Sequence, residues 1–326
     1  MLHAALFAIA TGSAHASEHT TWHWPEGEHR RYYLESHGVV LNFLPLYAPR
    51  NHITRFSRYE VALVADCAAS NKRIGRQQDV RCDIEDVALR ISPMARDAHQ
   101  AGPTLTQLQA LKEGLYVQAT FKDNGTMVAF DLEGLPDKME RDRRVQQDLR
   151  LLVQRTFVGL QLARPTSDDW SKPWIEKSAL ITQPIGRRDA VSRLEHTPTV
   201  NAERGVVQIT TSGTVTMRTS GGGANTHPTI KGETGGVTMW DAQTGSMVGR
   251  QWFTHLAGAG MVYTDGNGER HHVPQTASQA GLVLRIDGTD EPPAVGPWAV
   301  QQYQGRSFAL VQQKIAESSA SSEDPR

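Results

Sequence analysis

Short runs of alternating apolar and polar residues fill much of the first half of the chain and predict β-strands. Strands are expected over 39–47, 53–65 and 80–91, which are rich in β-branched and aromatic residues. The apolar positions of the third run change parity midway. A β-bulge near Glu85 and Asp86 is therefore predicted, because one extra residue returns the apolar side chains to the same face.

Turn residues between alternating runs predict hairpins. The tetrapeptide Lys-Asp-Asn-Gly at 122–125 contains the Asn-Gly pair typical of tight hairpin turns, so strands are expected at 116–121 and 126–132. In the second half, further strands are predicted at 206–211, 214–219, 237–241, 247–253 and 281–286. Turns are predicted at the glycine-rich sites 221–223, 235–236 and 265–268.

A different periodicity predicts one long amphipathic helix over 137–160. Its apolar residues recur at helical spacing, namely Val145, Leu149, Leu152, Val153 and Phe157. Charged and amide side chains fill the other side of the same segment. The apolar side is expected to pack on the adjacent sheet, and a helix that binds a partner or a membrane surface is the alternative.

These elements predict a mainly β (α+β) fold, in which a large curved antiparallel sheet or half-barrel holds one long helix on its concave side. A first β unit spans 32–162 and a second spans 202–315. Between them, 163–201 is rich in proline and carries two tryptophans, so an ordered crossover is expected. The polar segment 316–326 is expected to be disordered.

The first sixteen residues resemble a signal peptide. An apolar run is followed by Ala14-His15-Ala16, which fits the A-x-A pattern before a cleavage site, and the polar segment 17–31 comes next. The run is shorter than the roughly 20 apolar residues that cross a bilayer, and no other segment approaches that length, so no membrane span is expected. The sequence therefore predicts a periplasmic or secreted protein.

The two cysteines, Cys67 and Cys82, are predicted to form a disulfide. They lie on two predicted strands, on either side of a polar basic loop at 72–76. A bridge there closes a hairpin. Two separate buried thiols are the alternative.

Composition and motifs exclude some classes of function but do not identify one. The formal net charge of -1 predicts no broad basic surface, so nucleic acid is not an expected partner. The sequence contains no Gly-x-Ser-x-Gly, His-Glu-x-x-His or P-loop motif, and the glycines at 221–223 lack the Lys-Ser/Thr of a phosphate loop. No catalytic residue, metal ligand or cofactor is assigned, and the ligand-binding residues stay unknown.

Several polar groups are candidates for metal binding or catalysis. If cleavage follows Ala16, the new terminus Ser17-Glu18-His19 has the nitrogen donors that Cu(II) or Ni(II) prefers in a square plane. The adjacent pair His271 and His272 would point to opposite faces of a strand. The loop 265–276 begins like a calcium loop but lacks its glycine and its bidentate glutamate. The adjacent carboxylates at 85–86 and 168–169 do not face each other across a cleft, and the tryptophans at 22, 24, 170 and 174 are expected mainly in the core.

One segment resembles a known kind of protein. Over 206–253, a strand, an Asp-x-x-Thr-Gly turn at 241–245 and a Met-Val-Gly-Arg-Gln-Trp strand are similar to exported bacterial proteins of the lipoprotein-localisation family. Their long curved antiparallel sheets half-wrap a helix. The resemblance implies a concave face that binds lipids or other apolar molecules, with 137–160 as the enclosed helix. It assigns no functional residue.

We therefore expect a non-enzymatic exported protein that binds an apolar, lipid-like ligand or a partner in the cell envelope. Two alternatives remain. One is an envelope hydrolase whose catalytic residues are scattered along the chain, and the other is a metal-handling protein that uses the N-terminal histidines.

Overall fold

The structure is a computed structural model, and part of the chain is described. The described residues are 24–44, 53–93, 114–135, 143–161, 172–180, 190–201, 206–218, 229–241, 244–258, 262–264, 267–268, 270–272, 275–286 and 288. The predicted leader, the residues Ser17-Glu18-His19, the carboxylates at 168–169, the glycines at 221–223 and the tail at 316–326 lie outside them.

One open antiparallel sheet of eleven strands dominates the described residues. Its strands are β1 (His29–Leu44), β2 (Ile53–Ile74), β3 (Gln77–Pro93), β4 (Tyr116–Lys122), β5 (Met127–Glu133), β6 (Trp174–Leu180), β7 (Ala190–Asn201), β8 (Val206–Arg218), β9 (Thr229–Asp241), β10 (Ser246–Gly258) and β13 (Gln275–Ile286). Their spatial order is β5-β4-β3-β2-β1-β13-β10-β9-β8-β7-β6. Two short strands, β11 (Val262–Thr264) and β12 (Arg270–His272), pair separately. The mainly β, antiparallel architecture expected from the sequence is thus confirmed.

The first and last strands of the sheet join its two halves. β1 pairs with β2 on one side and with β13 on the other, with Tyr33 opposite Leu284 at this seam. The segment 163–201 contributes β6 and β7, so part of the expected crossover is sheet. The glycines at 235–236, where a turn was expected, lie inside β9 instead.

Local features of the first hairpin agree with the sequence prediction. The register of β2 and β3 moves from Val64 opposite Asp86 to Ala65 opposite Ile84, which leaves Glu85 as the extra residue of a bulge. Further along, Cys67 lies directly opposite Cys82 and the two form a disulfide. Both cysteines are buried in the core, so the bridge joins two strands from within.

Of the predicted helix 137–160, the structure describes residues 143–160, and their last turn is not α-helical. The α-helix α1 covers Arg143–Phe157 and tightens into a 3-10 turn at Val158–Leu160. Gln161 is already extended, and its backbone N–H donates to the carbonyl of Val158 at 3.1 Å, the i to i+3 bond of a 3-10 turn. Apolar residues continue to position 160, so periodicity alone does not reveal this change. Residues 136–142 lie outside the described chain.

The sheet has a helix face and an opposite face. On the helix face, α1 buries Leu149, Val153 and Phe157 against strand residues such as Val61 and Leu63. A second apolar cluster lies on the opposite face of β1, β2 and β13, formed by Tyr33, Ala62, Val64, Leu282, Leu284 and Ile286. Both faces are therefore buried at the seam between the halves. No helix within the described ranges has the length and apolar character needed to cross a bilayer.

Candidate functional site

A small apolar cavity lies between α1 and the first half of the sheet. Its nine lining side chains are all aliphatic and come from β2, β3, α1 and the ends of β4 and β5: Val61, Val87, Leu89, Leu115, Leu132, Leu135, Leu149, Leu152 and Val153. The enclosed volume is about 10 Å³, which is room for no more than one water molecule. We call this region the helix cavity.

Polar contacts hold α1 over the helix cavity at separate points. Midway along α1, Arg150 donates to the carbonyl of Phe130 and lies 2.7 Å from the carboxylate of Asp131, measured from Nη2 to Oδ1. Near its end, the hydroxyls of Thr156 and Ser36 are 2.9 Å apart. These contacts fix the register of α1 on β1 and β5, but none of them reaches into the cavity lining.

The 3-10 turn after α1 accepts hydrogen bonds from a partly buried arginine. Arg250 on β10 donates through Nη1 to the carbonyl oxygens of Gly159, at 3.4 Å, and Gln161. Burial lowers the pKa of the Arg250 guanidinium to about 10, and the nearby carboxylate of Glu176 opposes that shift. Gly159 is buried, and a buried carbonyl without a hydrogen-bond partner is costly. Arg250 supplies that partner and so ties the end of the helical segment to the second half of the sheet.

A hydrogen-bonded chain of three polar side chains crosses β6, β7 and β8. Nε2 of His196 is 3.1 Å from Oε2 of Glu176, and its Nδ1 is 2.9 Å from Oγ1 of Thr211. The ring of Trp174 stacks on the imidazole, with 4.8 Å between ring centroids and 21° between planes. His196 is 2% exposed and Thr211 8% exposed. We call these residues the His196 chain.

Register places the His196 chain on the helix face. One row of directly paired residues runs across seven strands: Ser36, Gly281, Trp252, Gly236, Thr211, His196 and Trp174. Directly opposed residues in an antiparallel sheet point to the same face. Since Ser36 contacts α1, the His196 chain and the helix cavity occupy the same face of the sheet, in different halves.

The opposite face carries a buried acidic group. Glu35 on β1 is 1% exposed, and its Oε2 accepts a hydrogen bond from the Tyr33 hydroxyl at 3.0 Å. Its other oxygen lies 3.8 Å from Nδ1 of His37. Burial raises the pKa of Glu35 from an ordinary 4.5 to about 7, the Tyr33 hydrogen bond opposes this, and the charge of Glu60 adds to it.

The groups singled out from the sequence are not brought together within the described residues, and the tryptophans at 22 and 170 lie outside them. Trp24 is buried in the core, where its Nε1 donates to the carbonyl of Glu28 at 2.8 Å. His271 and His272 are successive residues of β12. Among the residues that the structure describes, no group of three or more His, Cys, Asp or Glu side chains could hold a metal ion.

Sequence reasoning missed the His196 chain. Its three members are separated by 20 and 15 residues along the chain and belong to no motif. They meet only because the register puts Trp174 and Thr211 on either side of His196. To find these residues from the sequence, one would have had to predict the strands within 174–201 and their register.

Comparisons with known proteins add little. No family model matches the chain, and no curated protein matches it. Among solved structures, similarity was found to the crystal structure of a protein of unknown function from the DUF3598 family of Nostoc punctiforme. The two are 9% identical, the match covers 78% of this chain and 95% of that chain, and the TM-score is 0.10. A likeness this weak carries no argument about fold or function.

Proposed function

We propose that the protein is exported and binds an apolar, lipid-like molecule between α1 and the first half of the sheet. The observation that carries the proposal is the lining of the helix cavity, in which every described side chain is aliphatic. A site without hydrogen-bonding groups favours ligands that also lack them, because a polar ligand would lose its hydration without compensation. The nine described lining residues include no nucleophile, acid or base, and the role proposed for this site is binding.

Binding requires α1 to move. The enclosed volume of about 10 Å³ is far below the several hundred Å³ of a typical ligand site. A ligand must therefore replace part of the contact between Leu149, Leu152 and the sheet. Its apolar surface would take over the burial that these side chains lose, at about 25 cal/mol per Å². The polar contacts of Arg150, midway along α1, and of Thr156, near its end, lie outside the cavity lining and would keep the helix attached to the sheet.

The half-barrel expected from the sequence fits this proposal. Glycines support a bent second half of the sheet, because the backbones of β9 and β10 approach closely beside them. A Cβ at Gly232 would lie 1.9 Å from the carbonyl oxygen of His255, and one at Gly236 would lie 2.2 Å from that of Gln251. Glycines at such positions permit the close approach that a curving sheet needs. In a sheet that curves toward α1, the ligand would contact the sheet on one side and the helix on the other.

A titration with a fluorescent polyunsaturated fatty acid tests the binding site. The purified chain should enhance the probe's fluorescence in a saturable way. Leu152→Trp, which fills the cavity, should weaken binding at least tenfold. The control is Val191→Trp, which places the same ring at a position 55% exposed on β7. Equal affinity in both variants, or no saturable binding by the wild type, would rule out this site.

Export is part of the proposal and has its own support. The disulfide between Cys67 and Cys82 favours an oxidising compartment, where such bridges persist. Periplasmic and secreted locations are both compatible with it. Sequencing the N-terminus of the protein recovered from intact cells should give Ser17 as the first residue. An N-terminus that retains the apolar run would contradict cleavage at Ala16.

A further inference from the structure

We infer that the His196 chain gives the protein a second activity, cleavage of a carboxylic ester with Thr211 as the nucleophile. The inference does not depend on ligand binding under α1. It rests on the order of the three groups, in which a carboxylate, an imidazole and a hydroxyl are joined by hydrogen bonds of 3.1 and 2.9 Å. A nucleophile next to a base that a third group orients is the arrangement of nucleophilic catalysis.

The hydrogen bonds decide which nitrogen of His196 is basic. Nε2 faces the Glu176 carboxylate, which only accepts hydrogen bonds when ionised, so Nε2 carries the proton. Nδ1 of the neutral ring is then unprotonated and accepts from the Thr211 hydroxyl. The ring is held in this orientation by the stacked Trp174. The imidazole is thereby poised to take the hydroxyl proton, and Glu176 is a positioning residue that stabilises the imidazolium.

Two glycines flank Thr211 on its face of the sheet. Thr211 is directly opposite Gly236 on β9, and Gly213 is the next residue of β8 on the same face. A Cβ at Gly213 would lie 2.3 Å from the carbonyl oxygen of Arg193, so the backbone requires glycine there. Neither glycine adds a side chain of its own next to the hydroxyl, although Cδ2 of Leu194 lies 2.9 Å from the Cβ position at Gly213. Glycine within a strand commonly marks such a close approach.

The reaction balances with water as the second substrate. Oγ1 of Thr211 attacks the ester carbonyl while its proton passes to Nδ1 of His196. The bond from the carbonyl carbon to the alkoxy oxygen breaks, and the leaving alcohol takes that proton. Water then attacks the acyl-threonine and gives up a proton to Nδ1. The carboxylic acid departs, and the proton returns to Oγ1 of Thr211.

The experiment combines kinetics with identification of the acylated residue. The full chain is incubated with p-nitrophenyl acetate, the release of nitrophenol is followed, and acid-quenched samples are digested for peptide mass mapping. The wild type should carry one acetyl group on Thr211. Thr211→Val, which keeps the shape and removes the hydroxyl, should lose both the label and the activity. Thr211→Ser should retain both.

Two further variants separate chemistry from folding. Thr210→Val removes an exposed hydroxyl one residue away on the opposite face and should behave as wild type. His196→Gln should slow release by about 100- to 10,000-fold, because the general base is gone. The inference is overturned if the acetyl group is found elsewhere or nowhere. It is also overturned if Thr211→Val releases nitrophenol as fast as the wild type. The fatty-acid titration reports on a different set of residues, so either proposal can fail alone.

Discussion

Replacing Glu35 by glutamine should make the protein more stable at neutral and alkaline pH. Glu35 is buried on the opposite face of the sheet, where burial raises its pKa from an ordinary 4.5 to about 7. A carboxyl with a raised pKa in the folded state holds its proton more tightly than the unfolded chain does. Its contribution to stability is therefore full below about pH 4.5, declines between pH 4.5 and 7, and is lost above.

The magnitude follows from the shift. One unit of pKa is worth about 1.36 kcal/mol, so the move from 4.5 to about 7 corresponds to roughly 3 kcal/mol between the two ends of the range. Glutamine can still accept the hydrogen bond of Tyr33 and does not ionise. The stability difference between Glu35→Gln and the wild type should therefore shift by about 3 kcal/mol in favour of the variant from pH 4 to pH 8.

Urea unfolding of both proteins at half-unit pH steps measures this difference. Because carboxyls that do not interact with Glu35 titrate equally in both proteins, their effects cancel in the comparison. Glu195→Gln, at an exposed position on β7, is the control and should show no comparable trend. A stability difference for Glu35→Gln that stays constant with pH, or that favours the wild type at pH 8, would refute the reasoning.

Two other substitutions test how the sheet is held together. Changing Cys67 and Cys82 together to serine opens a bridge between residues 15 apart and should cost about 3 kcal/mol in urea unfolding, and an unchanged midpoint would contradict a formed disulfide. Gly159→Ala puts a Cβ 2.6 Å from Cγ2 of Val283, so it should cost about 1–3 kcal/mol and speed hydrogen exchange in α1. Exchange in α1 at the wild-type rate would show that the close approach is not needed.

The elements predicted well from the sequence are those with short-range causes. The bulge at Glu85 follows from a parity change within one strand, and the hairpin of β4 and β5 follows from the Asn-Gly turn, where Gly125 has a φ of 75°. The disulfide follows from two cysteines on facing strands of one hairpin. Each of these depends on residues that are near one another in the chain.

β6 and β7 were not predicted, because together they bury polar residues and expose apolar ones, the reverse of a typical half-buried strand. On β7 the buried positions include Ser192 and His196, while Val191 on the other side is exposed. On β6, Ile175 is also exposed. Buried polar residues with exposed apolar ones contradict the usual pattern of a half-buried strand, so periodicity did not identify them. The inversion coincides with the His196 chain, where polar groups are buried because they bond to one another.

Pairings between strands that are distant in the chain could not be predicted from the sequence either. β1 joins β13 across most of the chain, and no local turn sets that register. The glycines at 235–236 were interpreted as a turn, whereas Gly236 lies in mid-strand, where the neighbouring backbone leaves no room for a side chain. From sequence, a glycine that permits a turn and a glycine that permits a close approach are indistinguishable.

Native mass spectrometry tests the central claim, an apolar ligand under α1, most directly. The protein is purified without detergent from the cells that make it, and its mass is recorded before and after mild organic extraction. The account predicts an added mass that extraction removes in the wild type and in Val191→Trp, and that is absent from Leu152→Trp. Ligand binding at the helix cavity would be contradicted if the wild type and both variants, recovered from cells, all showed the mass of the bare polypeptide and the probe titration were also negative.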